Sequence, residues 1–185
     1  MAGWPNAGKS HQAGSELGWG VATRHPSPLK INMHFHIVTI VPEALKSYLD
    51  SSMIFAAQKK KKIKVILYNP RDYTKDKHRK VDSRPYGGGP GMVLTAQPIL
   101  DAVAAAQKKI PPRRPKDKRV GAPTRASEKA KTKIIVFSPS GKQFTNTVAQ
   151  EWAKKYDHLI LIAGHYEGID ARVKKILKAQ EISVG

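Results

Sequence analysis

Leu159-Ile160-Leu161-Ile162-Ala163-Gly164-His165-Tyr166-Glu167-Gly168-Ile169-Asp170 is the stretch that decides the fold. Its first five residues are apolar without alternation, so the strand they form must be covered on both faces. The run stops at Gly164. A helical pattern takes over from Gly168 to Ala179, with Ile169, Val173, Ile176 and Leu177 on one face. The segment before it repeats the plan. Lys133 to Phe137 is a short apolar strand that ends at Ser138-Pro139-Ser140-Gly141, and a helix follows over Thr145 to Tyr156, with Val148, Trp152 and Tyr156 at four-residue steps. All-apolar strands alternating with amphipathic helices predict an α/β domain, a parallel sheet flanked by helices. Ligands of such a sheet lie at the carboxyl ends of its strands.

Farther out the alternation continues. Met33 opens a strand, His34-Phe35-His36-Ile37-Val38-Thr39-Ile40-Val41. After Pro42, Glu43 to Leu49 and Met53 to Gln58 are helical, Lys64 to Tyr68 is a strand, and Leu94 to Gln107 is a helix with Leu100, Val103 and Ala104 at helical spacing. Two segments lack any period. Residues 1–32, rich in Gly, Ser, Pro and Ala, are expected to be a disordered N-terminal extension, so the domain spans 33–185. Within it, residues 107–133 hold 11 of the 33 Lys and Arg against Asp117 and Glu128, with four prolines, and are expected to be a mobile basic insertion.

Composition narrows the function classes. A chain of 185 residues with a net charge of +19 is suited to a polyanion, nucleic acid or an anionic surface. The absence of Cys removes thiol catalysis and cysteine-based metal centres. No apolar run approaches the ~20 residues of a membrane span, and the first residues lack the apolar centre of a signal peptide, so the expected address is the cytoplasm. Gly3-Trp4-Pro5-Asn6-Ala7-Gly8-Lys9-Ser10 matches the phosphate-binding loop pattern letter for letter. With two residues ahead of it there is no room for the strand that anchors such a loop, and the residues after it carry no apolar stripe, so nucleotide hydrolysis is rejected.

Three segments are candidates for chemistry. Asp82-Ser83-Arg84-Pro85-Tyr86-Gly87-Gly88-Gly89-Pro90-Gly91-Met92 is a loop of bare amides, costly to order unless something uses it. Arg84 supplies a fork suited to phosphate, and Asp82 is placed to orient it or to accept from a base. Ser138 to Gly141 and Gly164 to Asp170 stand where a parallel sheet puts its ligand, with Gly141 and Gly164 leaving the backbone open to one. Asp170 is read as a helix N-terminal carboxylate, whereas for Glu167 a structural and a functional role stay open. His34 and His36 share a strand face and are read as a packed or solvated pair; no residues stand at metal-ligand spacing. Lys59 to Lys62 is read as a solvated turn.

Taken in order, Ile40-Val41-Pro42-Glu43, Asn69-Pro70-Arg71-Asp72-Tyr73, the run from His78-Arg79-Lys80-Val81 through Met92, Phe137 to Gly141, and Ala163 to Ala171-Arg172 resemble one family, the bacterial tRNA (guanine-N1)-methyltransferases of the knotted α/β (SPOUT) class. The resemblance runs from about Met33 to Gly185. It implies a trefoil-knot methyltransferase domain and transfer of a methyl group from S-adenosylmethionine to N1 of the guanosine 3′ of a tRNA anticodon, by a homodimer. Carried onto these residues, it assigns Phe137, Ser138, Pro139, Gly164, Glu167, Val184 and Gly185 to the cofactor, and Asp82, Arg84, Pro85, Tyr86, Gly87, Gly88 and Gly89 to tRNA. N1 of guanine is a poor nucleophile until its proton leaves, so a base is needed while the sulfonium supplies the methyl. In the family that base is an aspartate beyond the position of Gly185, as are the segment that completes the knot and a helical tRNA-gripping domain. The chain is accordingly expected to be the N-terminal portion of such an enzyme, with no catalytic residue of its own. The alternative is a non-catalytic basic RNA-binding module, whose affinity would rest on charge.

Overall fold

The computed structural model describes residues 32–112 and 130–185. In chain order they form β1 (Met33–Val38), α1 (Pro42–Leu49), α2 (Ser52–Lys59), β2 (Ile63–Tyr68), β3 (Asp82–Ser83), β4 (Val93–Leu94) and α3 (Ala96–Lys108). After the undescribed stretch come β5 (Thr132–Gln143), α4 (Asn146–Lys155), β6 (His158–Ile162), α5 (Ala171–Leu177) and β7 (Gln180–Ser183). Five strands make one sheet in the order β2-β1-β6-β5-β7, and all four pairings are parallel. The carboxyl ends of β5, β6 and β7 therefore lie along a single edge.

Two apolar layers cover the sheet, as the unbroken apolar strands require. On one face Val38, Val136, Ile160 and Ile162 pack against Ile99, Ala102, Val103 and Ala106 of α3 and Val173 of α5. On the other, Met33, Ile135, Leu159 and Ile182 pack against Trp152 of α4. Burying each large apolar side chain contributes about 1.5–3 kcal/mol, which makes β6, the central strand with Leu159, Ile160 and Ile162 buried, the firmest part of the sheet. Helices α4 and α5 start on side-chain caps: Thr145 accepts from the Val148 N–H and Asp170 from the Arg172 N–H.

Several boundaries differ from the sequence reading. β1 ends at Val38 rather than Val41, because Thr39 turns the chain and its hydroxyl accepts the Val41 N–H at 3.3 Å. The helix expected from Leu94 begins at Ala96, since Leu94 pairs with Asp82 in a two-stranded antiparallel ribbon. β5 continues through Ser138–Gly141 instead of ending at Phe137. α5 begins at Ala171, not Gly168, and of the expected apolar face Ile176 is 61% exposed while Val173 is fully buried. Two turns of helix bring only one residue squarely onto α3 and the sheet. The proposed N-terminal extension up to residue 31, with its phosphate-loop look-alike, and the centre of the basic insertion (113–129) lie outside the described residues. No helix among the described residues is long and apolar enough to cross a membrane.

Candidate functional site

At the sheet edge, Phe137 and Lys142 of β5 both oppose Ile182 of β7. Ser138–Gly141 is therefore an excursion that leaves the ladder and rejoins it. Gly141 is required for a different reason than the one inferred from the sequence. A Cβ there would lie 2.5 Å from the Ile182 nitrogen and 2.7 Å from the Glu181 carbonyl carbon, so it is the backbone of β7, not a ligand, that presses on it. The excursion and the end of β7 enclose a cleft of about 270 Å³ lined by Phe137, Ser138, Pro139, Ile182, Ser183, Val184 and Gly185. Five of these are residues the sequence assigned to a cofactor. Ile182 and Ser183 were missed, because nothing in a short apolar strand marks its last two residues as cleft walls.

The polar groups of this cleft are mostly engaged with one another. Ser138 and Ser140 share a hydrogen bond of 2.9 Å, and the Ser183 hydroxyl donates to the Gly185 carbonyl at 2.7 Å. What remains is an apolar wall with nearby backbone, and no lining side chain is charged. Such a cleft fits S-adenosylmethionine: apolar faces for a flat heterocycle, backbone for its polar edge, and no lysine or arginine to repel a sulfonium.

The Gly-rich loop and the Gly164–Asp170 loop are zipped together. The Glu167 N–H donates to the Met92 carbonyl (3.2 Å), the Leu94 N–H to the Gly168 carbonyl (3.0 Å) and the Asp170 N–H to the Leu94 carbonyl (3.0 Å). The Glu167 carboxylate closes the join by accepting the Met92 N–H at 2.6 Å, a short, charge-assisted bond. In this structure the Glu167 side chain holds the two loops in register. Gly91 has φ +98°, and a Cβ on it would lie 2.1 Å from that carboxylate. Tyr166, with φ +57°, is a non-glycine residue in the left-handed region within the same loop. Gly164 and Glu167 do not line the β5–β7 cleft. A Cβ on Gly164 would lie 3.1 Å from Ile169, so a side chain, rather than open space for a ligand, sits against it.

Beside the zipper is a second cleft of about 430 Å³, lined by Tyr86, Val93, Ile169, Asp170, Ala171 and Arg172. Asp170 is the α5 cap expected of it, but it also grips Arg172: Nε lies 3.0 Å from both carboxylate oxygens and Nη2 lies 2.6 Å from Oδ2. Arg172 Nη2 donates as well to the Tyr86 hydroxyl at 2.5 Å. The Arg172 hydrogen bond holds the Asp170 carboxyl below its ordinary range, and Asp170 in turn raises Arg172, fixing it as a cation. Arg172 was not singled out from the sequence; the only available signal was its i+2 spacing from a capping aspartate.

The other substrate candidates spread along the exposed arm. Pro85 accepts the Gly88 N–H at 3.0 Å in a turn, and Gly88 and Gly89, at φ +74° and +97°, occupy conformations suited to glycine. A side chain at Gly87, Gly88 or Gly89 would meet open space. Arg84 is exposed and Asp82 half-buried in β3, and among the described residues no ion pair joins them, so Asp82 does not orient Arg84. The described residues contain no cluster of His, Asp or Glu that could hold a metal ion.

The family model for tRNA (Guanine-1)-methyltransferase TrmD matches residues 33–185. A tRNA (guanine-N(1)-)-methyltransferase of Ruminiclostridium cellulolyticum is 40% identical over 153 residues, covering 83% of this chain and 58% of the relative. One from Dictyoglomus turgidum is 42% identical over 153 residues, 83% of this chain and 53% of its own length. The chain thus spans little more than half the length of these relatives. The crystal structure of tRNA (m1G37) methyltransferase from Aquifex aeolicus superposes with a TM-score of 0.63 at 29% identity, over 83% of this chain and 60% of that one.

Proposed function

This chain belongs to the tRNA (guanine-1)-methyltransferase family, and on that footing we propose that it holds S-adenosylmethionine in the β5–β7 cleft and serves methylation of N1 of the guanosine 3′ of a tRNA anticodon. One observation carries this reading: the Ser138 excursion and the end of β7 enclose an uncharged cleft at the edge where the parallel strands end. The cofactor, when bound, supplies an electrophilic methyl group on a sulfonium. Phe137, Pro139 and Val184 would wall its heterocycle, while backbone at Ser138 and Gly185 takes its polar edge. Gly164 and Glu167 act one layer back, by keeping Ile169 and the Gly-rich loop in place.

On the substrate side, Arg172 is held as a cation whose guanidinium is aimed by Asp170 and Tyr86. A guanine that loses its N1 proton spreads negative charge onto O6, which a fixed guanidinium stabilises. Asp170 is a poor choice for the base, since its carboxyl is held ionised by Arg172 and has little appetite for a proton. Arg84, Pro85, Tyr86 and the exposed glycines Gly87, Gly88 and Gly89 would border the nucleotide. A knotted closure, a homodimer and a cytoplasmic address belong to the same reading. Photo-crosslinking of methyl-labelled S-adenosylmethionine, followed by peptide mapping, tests it. Label in the peptides of β5 and β7 that excess S-adenosylhomocysteine removes is the expected result; label elsewhere, or label insensitive to competition, overturns it.

A further inference from the structure

On the sheet face away from α4, four side chains from three strands stand in one line. His34 Nδ1 is 3.4 Å from His158 Nε2, His158 Nδ1 is 3.1 Å from His36 Nε2, and His36 Nδ1 is 3.1 Å from the Tyr68 hydroxyl. His36, His158 and Tyr68 are buried, and His34 at the other end is half-buried. This line starts at the amino ends of β1 and β6 and finishes on Tyr68, the last residue of β2, and the methyl-transfer reading makes no use of it.

The geometry fixes the protons. A neutral imidazole has one N–H and one lone pair, and every link in the line needs one of each. The two buried rings each use Nδ1 on one side and Nε2 on the other, so a choice at one link dictates the rest. If the Tyr68 hydroxyl donates to His36, then His36 Nε2–H donates to His158 and His158 Nε2–H donates to His34. If instead His34 Nδ1–H donates, every bond runs the opposite way and Tyr68 accepts. In either direction all three rings carry the same tautomer. A further proton on His34 is compatible with the second direction, with every bond kept. One more proton, on His158 or His36, sets two N–H groups face to face.

We propose that His34, His158, His36 and Tyr68 form a one-proton relay whose single extra proton rests on His34 with every hydrogen bond running from His34 toward Tyr68, and that a second proton breaks it and loosens β1 from β6 and β2 in acid. The surroundings limit the line to a single proton. Lys64 stands opposite His34 on β2, Lys109 at the end of α3 places its ammonium 5.2 Å from the Tyr68 ring, and Tyr73 faces Tyr68 from the turn after β2. Only Asp157, next to His158, favours a charged ring, and it acts on His34 and His158 rather than His36. Burial, the two other histidines and both lysines hold His36 down to about 4, while His34 and His158 are lowered by burial first.

The test is NMR of the 185-residue chain carrying 13C,15N-histidine, with ring nitrogen shifts followed from pH 8 to pH 4. One shared tautomer on His34, His36 and His158 at pH 8, and a joint shift of all three rings as a single proton enters, are the expected results. Different tautomers at pH 8, or one ring titrating near 6.5 while the others stay still, overturns the relay. In H158F, which removes the middle link, His34 should titrate alone and His36 should stop responding; a joint response that survives the substitution is equally fatal. Should that variant not fold, the tautomers of the unaltered chain decide by themselves.

Discussion

Glu167 and Gly91 show how much of the site rests on single atoms. The Glu167 carboxylate occupies the place where a side chain on Gly91 would begin. Gly91→Ala should therefore expel the carboxylate, strand the Met92 N–H and strain a φ of +98°, at a cost on the order of 3 kcal/mol in stability; urea unfolding measures it. Arg172→Lys keeps the charge but loses the fork that Asp170 and Tyr86 hold. We expect roughly tenfold weaker tRNA binding, about 1.4 kcal/mol, with cofactor affinity unchanged, by filter binding alongside calorimetry. At this scale the sequence was legible for Asp170, read as a helix N-terminal carboxylate and found capping α5. It was not legible for Arg172, whose task depends on Tyr86, 86 positions away.

Among elements, β5 and β7 set the cleft. Gly141→Ala forces a methyl group into the backbone of β7 at 2.5–2.7 Å, where no flexible side chain can yield. It should unpair the β7 edge, and amide exchange over Gln180–Ser183 should quicken by more than tenfold; exchange as slow as in the parent would refute the clash. The β1–β6–β2 unit carries a pH dependence of defined sign. His36 is near 6.5 when unfolded and about 4 when folded, so between those values the unfolded chain binds more protons. Stability is then full above pH 6.5, falls as pH drops through that window, and is lost by about pH 4, with roughly 3 kcal/mol from His36. Denaturation midpoints at pH 7, 5.5 and 4 report it, and His36→Phe should flatten the curve. The strands themselves were legible as apolar runs. The Leu94–Ile169 bridge was not, since it joins segments of different motifs through backbone alone and leaves no side-chain pattern to read.

For the molecule as a whole, the parallel sheet with covered faces follows from β5 and β6 being apolar without alternation, and the family resemblance from motifs at strand ends. Strand order was beyond the sequence, because any parallel pairing of such strands buries the same residues. The charge of +19 acts at this scale too. tRNA affinity should fall steeply and linearly on a logarithmic salt axis as counterions are released. Deleting 113–129, which removes seven Lys and Arg, should weaken binding and flatten that slope; an unaltered slope would make those charges bystanders. The central claim, however, is the cleft between β5 and β7. Its most direct test is calorimetric titration of the chain with S-adenosylmethionine, beside Val184→Lys, a substitution at a 71% exposed cleft wall that puts a cation near the sulfonium without disturbing the core. Saturable one-to-one binding that weakens at least tenfold in Val184→Lys is the predicted result; no binding by the parent chain, or binding indifferent to that lysine, would contradict it.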